Sequence, residues 1–251
     1  MNVVLYGRDR KRWALTERGA GALRVAPTLL EIGPSAMRLS PGEVCVSFDE
    51  RTMPIPGRLA GEVRLTMSGV TPGPHALDAD GRHLWWPIAP ASRASVALTH
   101  PKLSFSGDAY FDTNEGSRPL EADFDHWNWS RAPIGDGAAV LYDVVRADGS
   151  RKLIALDIAA DGTLAPLPEP PEAPLPKGPL WRMDRLTRSE DPSAVRLLRT
   201  YEDTPFYTRS KIATRLKGVA TSAMHESLSM PRFVHPLTQL ALPFRMPRRP
   251  S

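Results

Sequence analysis

A chain of 251 residues with 41% hydrophobic side chains can form one large all-β unit or two modest domains, and its net charge of +4 is too mild to argue for nucleic acid. Its 26 prolines, roughly twice the ordinary share of ~5%, speak against long helices, because each internal Pro removes a hydrogen bond and clashes with the preceding turn. Cys45 is the single cysteine, so an intrachain disulfide and a Cys-rich zinc site are excluded.

The chain opens on MNVVLYG, with neither a charged n-region nor an apolar h-region, and it holds no run of about 18 apolar residues. A cytoplasmic protein without a membrane span is expected. Glu43 to Asp49 alternates apolar and polar, and Glu62 to Met67 places Val63, Leu65 and Met67 on one face. That period of two marks half-buried antiparallel strands. Cys45, between Val44 and Val46, reads as an inert strand thiol. Turn residues punctuate 68–74 and Asp80-Gly81. Residues 139–145 and 152–158 flank Asp148-Gly149, a hairpin signal, and Asp161-Gly162 closes the second strand. Residues 192–199 suit either a short helix or a strand. Many short strands with frequent turns predict a β-barrel or sandwich. Residues 166–179, PLPEPPEAPLPKGP, are half proline and read as an extended linker, with an ordered loop across a barrel mouth as the alternative. The expected organisation is a first domain over 1–168, a linker at 169–179 and a smaller second domain over 180–251.

The chemistry concentrates in two places. Residues 107–132, GDAYFDTNEGSRPLEADFDHWNWSRA, hold six carboxylates, Tyr110, Trp127, Trp129 and His126. Upstream lies His83-Leu84-Trp85-Trp86-Pro87. Carboxylates and large aromatics together suit a pocket that is half apolar and half reactive. Gly19-Ala20-Gly21 lacks the third glycine of a dinucleotide site. The six histidines show no metal-binding spacing, and there is no Gly-x-Ser-x-Gly elbow. No metal or other cofactor is expected. A carboxylic acid in an apolar pocket keeps its proton near neutrality, and aromatic faces stabilise a carbocation. Both devices suit protonation of a carbon–carbon double bond. Taken singly, Asp112 also reads as a turn or strand-end carboxylate, Trp127 and Trp129 as core, and His83 as a structural histidine. Trp85 and Trp86 point to opposite faces of a strand, so at most one lines a given pocket.

GDAYFDTNEG followed by PLEADFDHWNWSRA resembles the carotenoid 1,2-hydratases, or hydroxyneurosporene synthases. The blocks NVVLYG, KRWALTERG (11–19), HLWWPIAP (83–90), YEDTPFY (201–207), HESL (225–228) and LPFRMPR (242–248) are similar to that family, so the resemblance covers nearly the whole chain. It implies a pair of lipocalin-like β domains and a cofactor-independent lyase. The implied reaction adds water across the terminal C1–C2 double bond of acyclic carotenoids such as neurosporene and lycopene, in purple phototrophic bacteria. Family members usually carry residues ahead of the NVVLYG block, so a displaced start or a shortened chain is expected, with a missing edge strand. The resemblance further implies Asp112 as general acid, Tyr110 as its hydrogen-bonding partner, Trp85 presenting a ring face to the cation, and His83 orienting or deprotonating the water. Glu115 and Asp108 are rival acids. Trp86, Trp127, Trp129, Phe111 and Glu115 are expected against the substrate. A water-insoluble polyene implies peripheral contact with a membrane, for which Phe244, Arg245, Met246, Arg248 and Arg249 are candidates. A non-catalytic carotenoid or lipid binder, and a cyclase or isomerase of related fold, are the competing readings.

Overall fold

The computed structural model describes residues 1–7 and 11–242, with the backbone of 248–249. The basic tail residues Phe244, Arg245 and Met246, and the side chains of Arg248 and Arg249, lie outside the described residues. The all-β expectation holds, and the strands pair almost throughout in antiparallel fashion. No described helix is long and apolar enough to cross a membrane.

Two compact units result. The first takes the described residues of 1–68, 92–109 and 239 onward; the second takes 69–91 and 110–238. This division is interleaved in sequence and differs from the expected break at 169–179. Strand pairing is non-local, so the neighbour of a strand is not written in its composition.

In the first unit, Leu23–Ala26, Leu29–Ile32, Ser35–Ser40, Glu43–Thr52 and Gly57–Met67 form a meander, extended by residues 92–100 of the strand His83–His100. The alternation read around 43–49 and 62–67 is this meander. Phe48, Leu59 and Leu98 are its core, with Val3, Leu5, Val46, Val63 and Val96 packed against them. Gly61 sits at φ +152° in the sheet, where a Cβ would meet the Ala97 carbonyl at 2.4 Å; only glycine fits. On the Glu43–Thr52 strand Glu50 is 1% exposed and gathers Arg18 in a bidentate pair at 2.9 and 2.7 Å, Thr16 Oγ1 at 3.0 Å and Ser35 Oγ at 2.6 Å. Cys45 lies partly buried on the Glu43–Thr52 strand, and burial pushes its thiol up, away from the reactive thiolate.

The second unit is a seven-stranded sheet in the order Leu164–Pro166, Arg151–Ile158, Gly137–Arg146, Phe124–Ile134, Val219–Ser229, Tyr207–Leu216 and Arg196–Asp203. The expected hairpin turn is in place: Gly149 takes φ +82° and the Asp148 carboxylate accepts the Ser150 N–H at 2.9 Å. Residues 192–199 divide between a short 3₁₀ turn, Pro192–Ala194, and the start of a strand. The Pro-rich segment is built into the fold. Glu172–Leu175 pairs with Arg185–Arg188, and Arg188 bonds Glu169, Glu172 and the Pro170 carbonyl while also pairing with Asp143 at 2.7 Å. A proline run cannot supply its own backbone donors, so arginines from the next strand satisfy its carbonyls. The linker reading is therefore corrected: this stretch is an ordered part of the second unit.

One face of the seven-stranded sheet carries Trp129, Val140, Tyr142, Val144, Ile154 and Leu156. The other carries Ala132, Ala139, Leu141, Ile212 and Ala223 in one cluster, with a polar layer beside it. In that layer His225 is fully buried and donates Nε2–H to the Leu186 carbonyl at 2.9 Å, while Asn128 Oδ1 accepts from Ser227 at 2.6 Å. Burial, aided by the nearby Arg185 charge, pulls the His225 pKa down to about 4. The unfolded chain binds this proton below about pH 6.5 and the folded chain only below about 4. Stability is thus expected to fall as pH drops through that window, by on the order of 3 kcal/mol. Comparing denaturation midpoints of the parent and His225→Gln from pH 7 to 4 checks this; parallel curves would refute it.

Candidate active site

The site is assembled wholly within the second unit, where residues 83–91 and 110–116 lie over the Trp129/Tyr142 face of the sheet. Both segments are strand, so residues two apart share a face. The stretch 112–116, which also reads as a turn in sequence, is the end of the strand Leu103–Gly116. His83 and Trp85 thereby face the sheet from one strand, and Tyr110 and Asp112 from the other.

Of these, His83, Tyr110 and Asp112 border a cavity of about 700 Å³. Asp112, Tyr110, Trp127, Trp129, Tyr142 and Glu226 are on its wall, together with His83, Glu115, Phe124 and Arg209. The wall is aromatic on the sheet side. Tyr110 and Trp129 rings are 5.0 Å apart, Trp127 and Tyr142 6.4 Å, and Phe124 and Trp127 6.0 Å. Trp127 and Trp129 share one side of the strand Phe124–Ile134, as the sequence spacing required.

Two donors converge on one oxygen of Asp112. Trp85 Nε1 reaches Oδ2 at 3.0 Å and the Tyr110 hydroxyl reaches the same atom at 3.0 Å. The indole N–H is shared with the Tyr110 oxygen at 3.2 Å. Burial raises the proton affinity of Asp112 above the usual carboxylate range and outweighs these hydrogen bonds and the Arg209 charge, which oppose it. The same burial pushes the Tyr110 and Tyr142 hydroxyls well up, with the Asp112 charge adding to it, so both stay neutral donors.

Trp85 is completely buried and packs edge-on against Tyr142 at 5.2 Å. It stands behind the Asp112 carboxyl and off the cavity wall. The expected ring face toward a cation is therefore corrected: what Trp85 contributes is its N–H. Trp86 points to the opposite side of its strand and donates to Thr71, and Phe111 likewise alternates away, so neither lines the cavity. Glu115 lies at the exposed rim. Asp108 is removed from the cavity altogether, in an exposed pair with Arg93 at 2.6 Å.

His83 is buried and its Nε2 is 2.8 Å from Asp123 Oδ2, while Phe124 packs edge-on against the ring at 4.7 Å. Its Nδ1 is buried and makes no hydrogen bond to protein. A Cβ at Gly116 would approach that nitrogen to 2.7 Å, so only glycine leaves room beside this edge of the ring. The strand's entry is fixed by Asp78, whose carboxylate accepts the backbone N–H groups of Asp80, Arg82 and His83. Asp123, Arg209, Tyr142 and Glu226 escaped sequence reasoning. Asp123 and Glu226 stand inside the resembling blocks, and only the register of the sheet shows that Glu226 faces the cavity.

No cluster of three or more His, Cys, Asp or Glu able to hold a metal occurs among the described residues. The profile of the carotenoid hydratase CrtC family matches residues 1–251. The chain is 46% identical over 248 residues to the acyclic carotenoid 1,2-hydratase of Thiocapsa roseopersicina, covering 99% of this chain and 61% of that protein. It therefore spans about three fifths of that relative's length. It is 39% identical over 252 residues to the acyclic carotenoid 1,2-hydratase of Cereibacter sphaeroides, covering 100% of this chain and 89% of that protein. Among solved structures, a chain described as AttH from Nitrosomonas europaea superposes with a TM-score of 0.51 at 13% identity, covering 84% of this chain and 73% of that one. That likeness concerns the lipocalin-like β fold alone.

Proposed function

The chain belongs to the carotenoid hydratase family, and we propose that it adds water across the terminal C1–C2 double bond of an acyclic carotenoid. The observation that supports this most directly is a carboxylic acid with raised proton affinity, oriented by two neutral donors, on the wall of an aromatic cavity. Hydration of an isolated trisubstituted alkene begins with proton transfer to carbon, which needs an un-ionised acid in a dry site.

In this reading Asp112 is the general acid. Trp85 and Tyr110 donate to Oδ2, which leaves Oδ1 as the oxygen that carries and delivers the proton. Transfer to C2 leaves a tertiary cation at C1 and an Asp112 carboxylate, which the same two donors then stabilise. The rings of Trp127, Trp129 and Tyr142 supply negative faces toward the cation, an interaction worth roughly 0.5–2 kcal/mol each when desolvated. His83, tied to Asp123 through Nε2, orients the attacking water with Nδ1. Neurosporene, lycopene and their derivatives fit the demand for a terminal isopropylidene group on a long polyene. The remainder of such a polyene exceeds the cavity, and a water-insoluble substrate calls for contact with a lipid surface. No cofactor enters any step.

The test is pigment analysis by liquid chromatography and mass spectrometry of a lycopene-producing bacterial host that expresses the chain. A pigment heavier by one water is expected. An isomer of unchanged mass would favour a cyclase or isomerase, and soluble chain that binds carotenoid with no new pigment would favour the non-catalytic binder.

A further inference from the structure

The acid accounts for one half of a hydration. The other half is the proton that the captured water must lose, and the sheet register shows where a second acidic group stands. Arg209 pairs with Glu226, Glu226 with Trp129, and Trp129 with Tyr142, in one row across four adjacent strands. All four side chains reach the cavity wall. Glu226 Oε1 is 3.4 Å from Arg209 Nη1. The row thus places a carboxylate and its counter-ion on the sheet side of the cavity, across from the strand Leu103–Gly116 that carries Asp112.

We propose that Glu226 is a second catalytic residue, the acceptor of the proton released when water captures the C1 cation, with Arg209 as the positioning residue that keeps it ionised. This rests on the hydratase reading above. The steps balance. The Asp112 O–H bond breaks as a C2–H bond forms; a water lone pair forms the C1–O bond; one O–H bond of that oxonium breaks and its proton passes to Glu226. Transfer of that proton back to Asp112, directly or through solvent, restores the starting state, and the net change is one water added.

The surroundings of Glu226 make it a stronger proton acceptor than an exposed glutamate. From its neighbouring strand Arg209 and Tyr207 face it, from Gly137–Arg146 Tyr142, and from the strand Leu103–Gly116 Tyr110 and Asp112. Burial and the Asp112 charge raise its proton affinity above the ordinary glutamate range, while Arg209 and Tyr207 hold it back. A base is most effective when its proton affinity lies close to the working pH. His83 keeps the orienting role and is less suited to accept the proton, since one ring nitrogen is committed to Asp123.

Glu226→Gln in the full chain, assayed with dispersed lycopene in D2O, separates the two halves of the reaction. The parent chain is expected to form a hydrated pigment bearing deuterium at C2. Glu226→Gln is expected to lose hydration by about a hundredfold or more, yet to return lycopene that has gained deuterium, because Asp112 still deuterates C2 and the uncaptured cation then sheds the original C2 hydrogen or one from a C1 methyl while keeping the deuteron it received. Hydration at the parent rate would overturn the proposal. So would loss of both hydration and exchange in a variant with a parental melting curve, since Glu226 would then act before the cation. Arg209→Gln gives an independent readout: the acid limb of the pH–rate profile is expected to move to higher pH, and an unmoved limb contradicts its role. Failure of the parent chain itself to hydrate lycopene or neurosporene would instead remove the hydratase reading, and Glu226's role with it.

Discussion

Asp112→Asn is expected to reduce carotenoid hydration by two to four orders of magnitude, with no deuterium entering recovered substrate. Asparagine keeps the shape of the side chain and still offers an oxygen to Trp85 and Tyr110, so the melting curve should stay close to the parent's. What it lacks is a proton that can be given to carbon. The pH dependence follows from the raised affinity of Asp112: activity is present while the acid holds its proton and is lost as pH rises through its pKa. Tyr110→Phe removes a donor that favours the ionised form, so in that variant the basic limb should move further up. Near-parental turnover by folded Asp112→Asn would refute the assignment outright. Glu115 would then be the next acid to test, because it alone of the two rivals read from sequence borders the cavity.

The largest stability effect is expected in the other unit. Glu50→Gln should destabilise it by about 3–5 kcal/mol, which for a chain of this size corresponds to a fall of about 10 °C in Tm. Glu50 is among the most buried charged groups described, and its carboxylate is held ionised against burial by Arg18, Ser35 and Thr16. Removing the charge leaves the Arg18 guanidinium, itself 7% exposed, without compensation in a dry environment. The cost is that of an orphaned cation and not the net worth of the pair. The double variant Arg18→Leu/Glu50→Met should therefore recover much of the loss. Thermal denaturation followed by circular dichroism decides this, and a loss below 1 kcal/mol in Glu50→Gln would show that water reaches the pair. Because the folded Glu50 carboxylate has a lowered proton affinity, its stabilising effect is present above the ordinary glutamate range and fades as pH falls through the folded value.

Alternation of apolar and polar residues at 43–49 and 62–67 was sufficient to identify half-buried strands, because a side-chain period of two has few other causes. Asp148-Gly149 named its own turn for a similarly local reason, the freedom of glycine at positive φ. The spacing of Tyr110 and Asp112, and of His83 and Trp85, put each pair on one face once both segments were strands. Local chemistry carried that much, and the resemblance to a family carried the reaction.

Sequence alone could not tell which side of the carboxyl Trp85 occupies. Its indole is as suited to a cavity wall as to a buried donor, and only the packing of Tyr142 against it settles the matter. Nor could it tell that the proline run is pinned, since that depends on Arg185 and Arg188 arriving from another strand. The unit boundaries, the Asp123–His83 pair and the Arg209–Glu226–Trp129–Tyr142 row share this origin. Each joins residues far apart in the chain through backbone register, and register is fixed by which strands become neighbours. The residues along the chain thus determined the strands, the turns and the sharing of one face by Tyr110 with Asp112 and by His83 with Trp85. Tertiary structure decided what faces what, because a strand presents two chemically legible faces and only its neighbours assign one of them to the cavity.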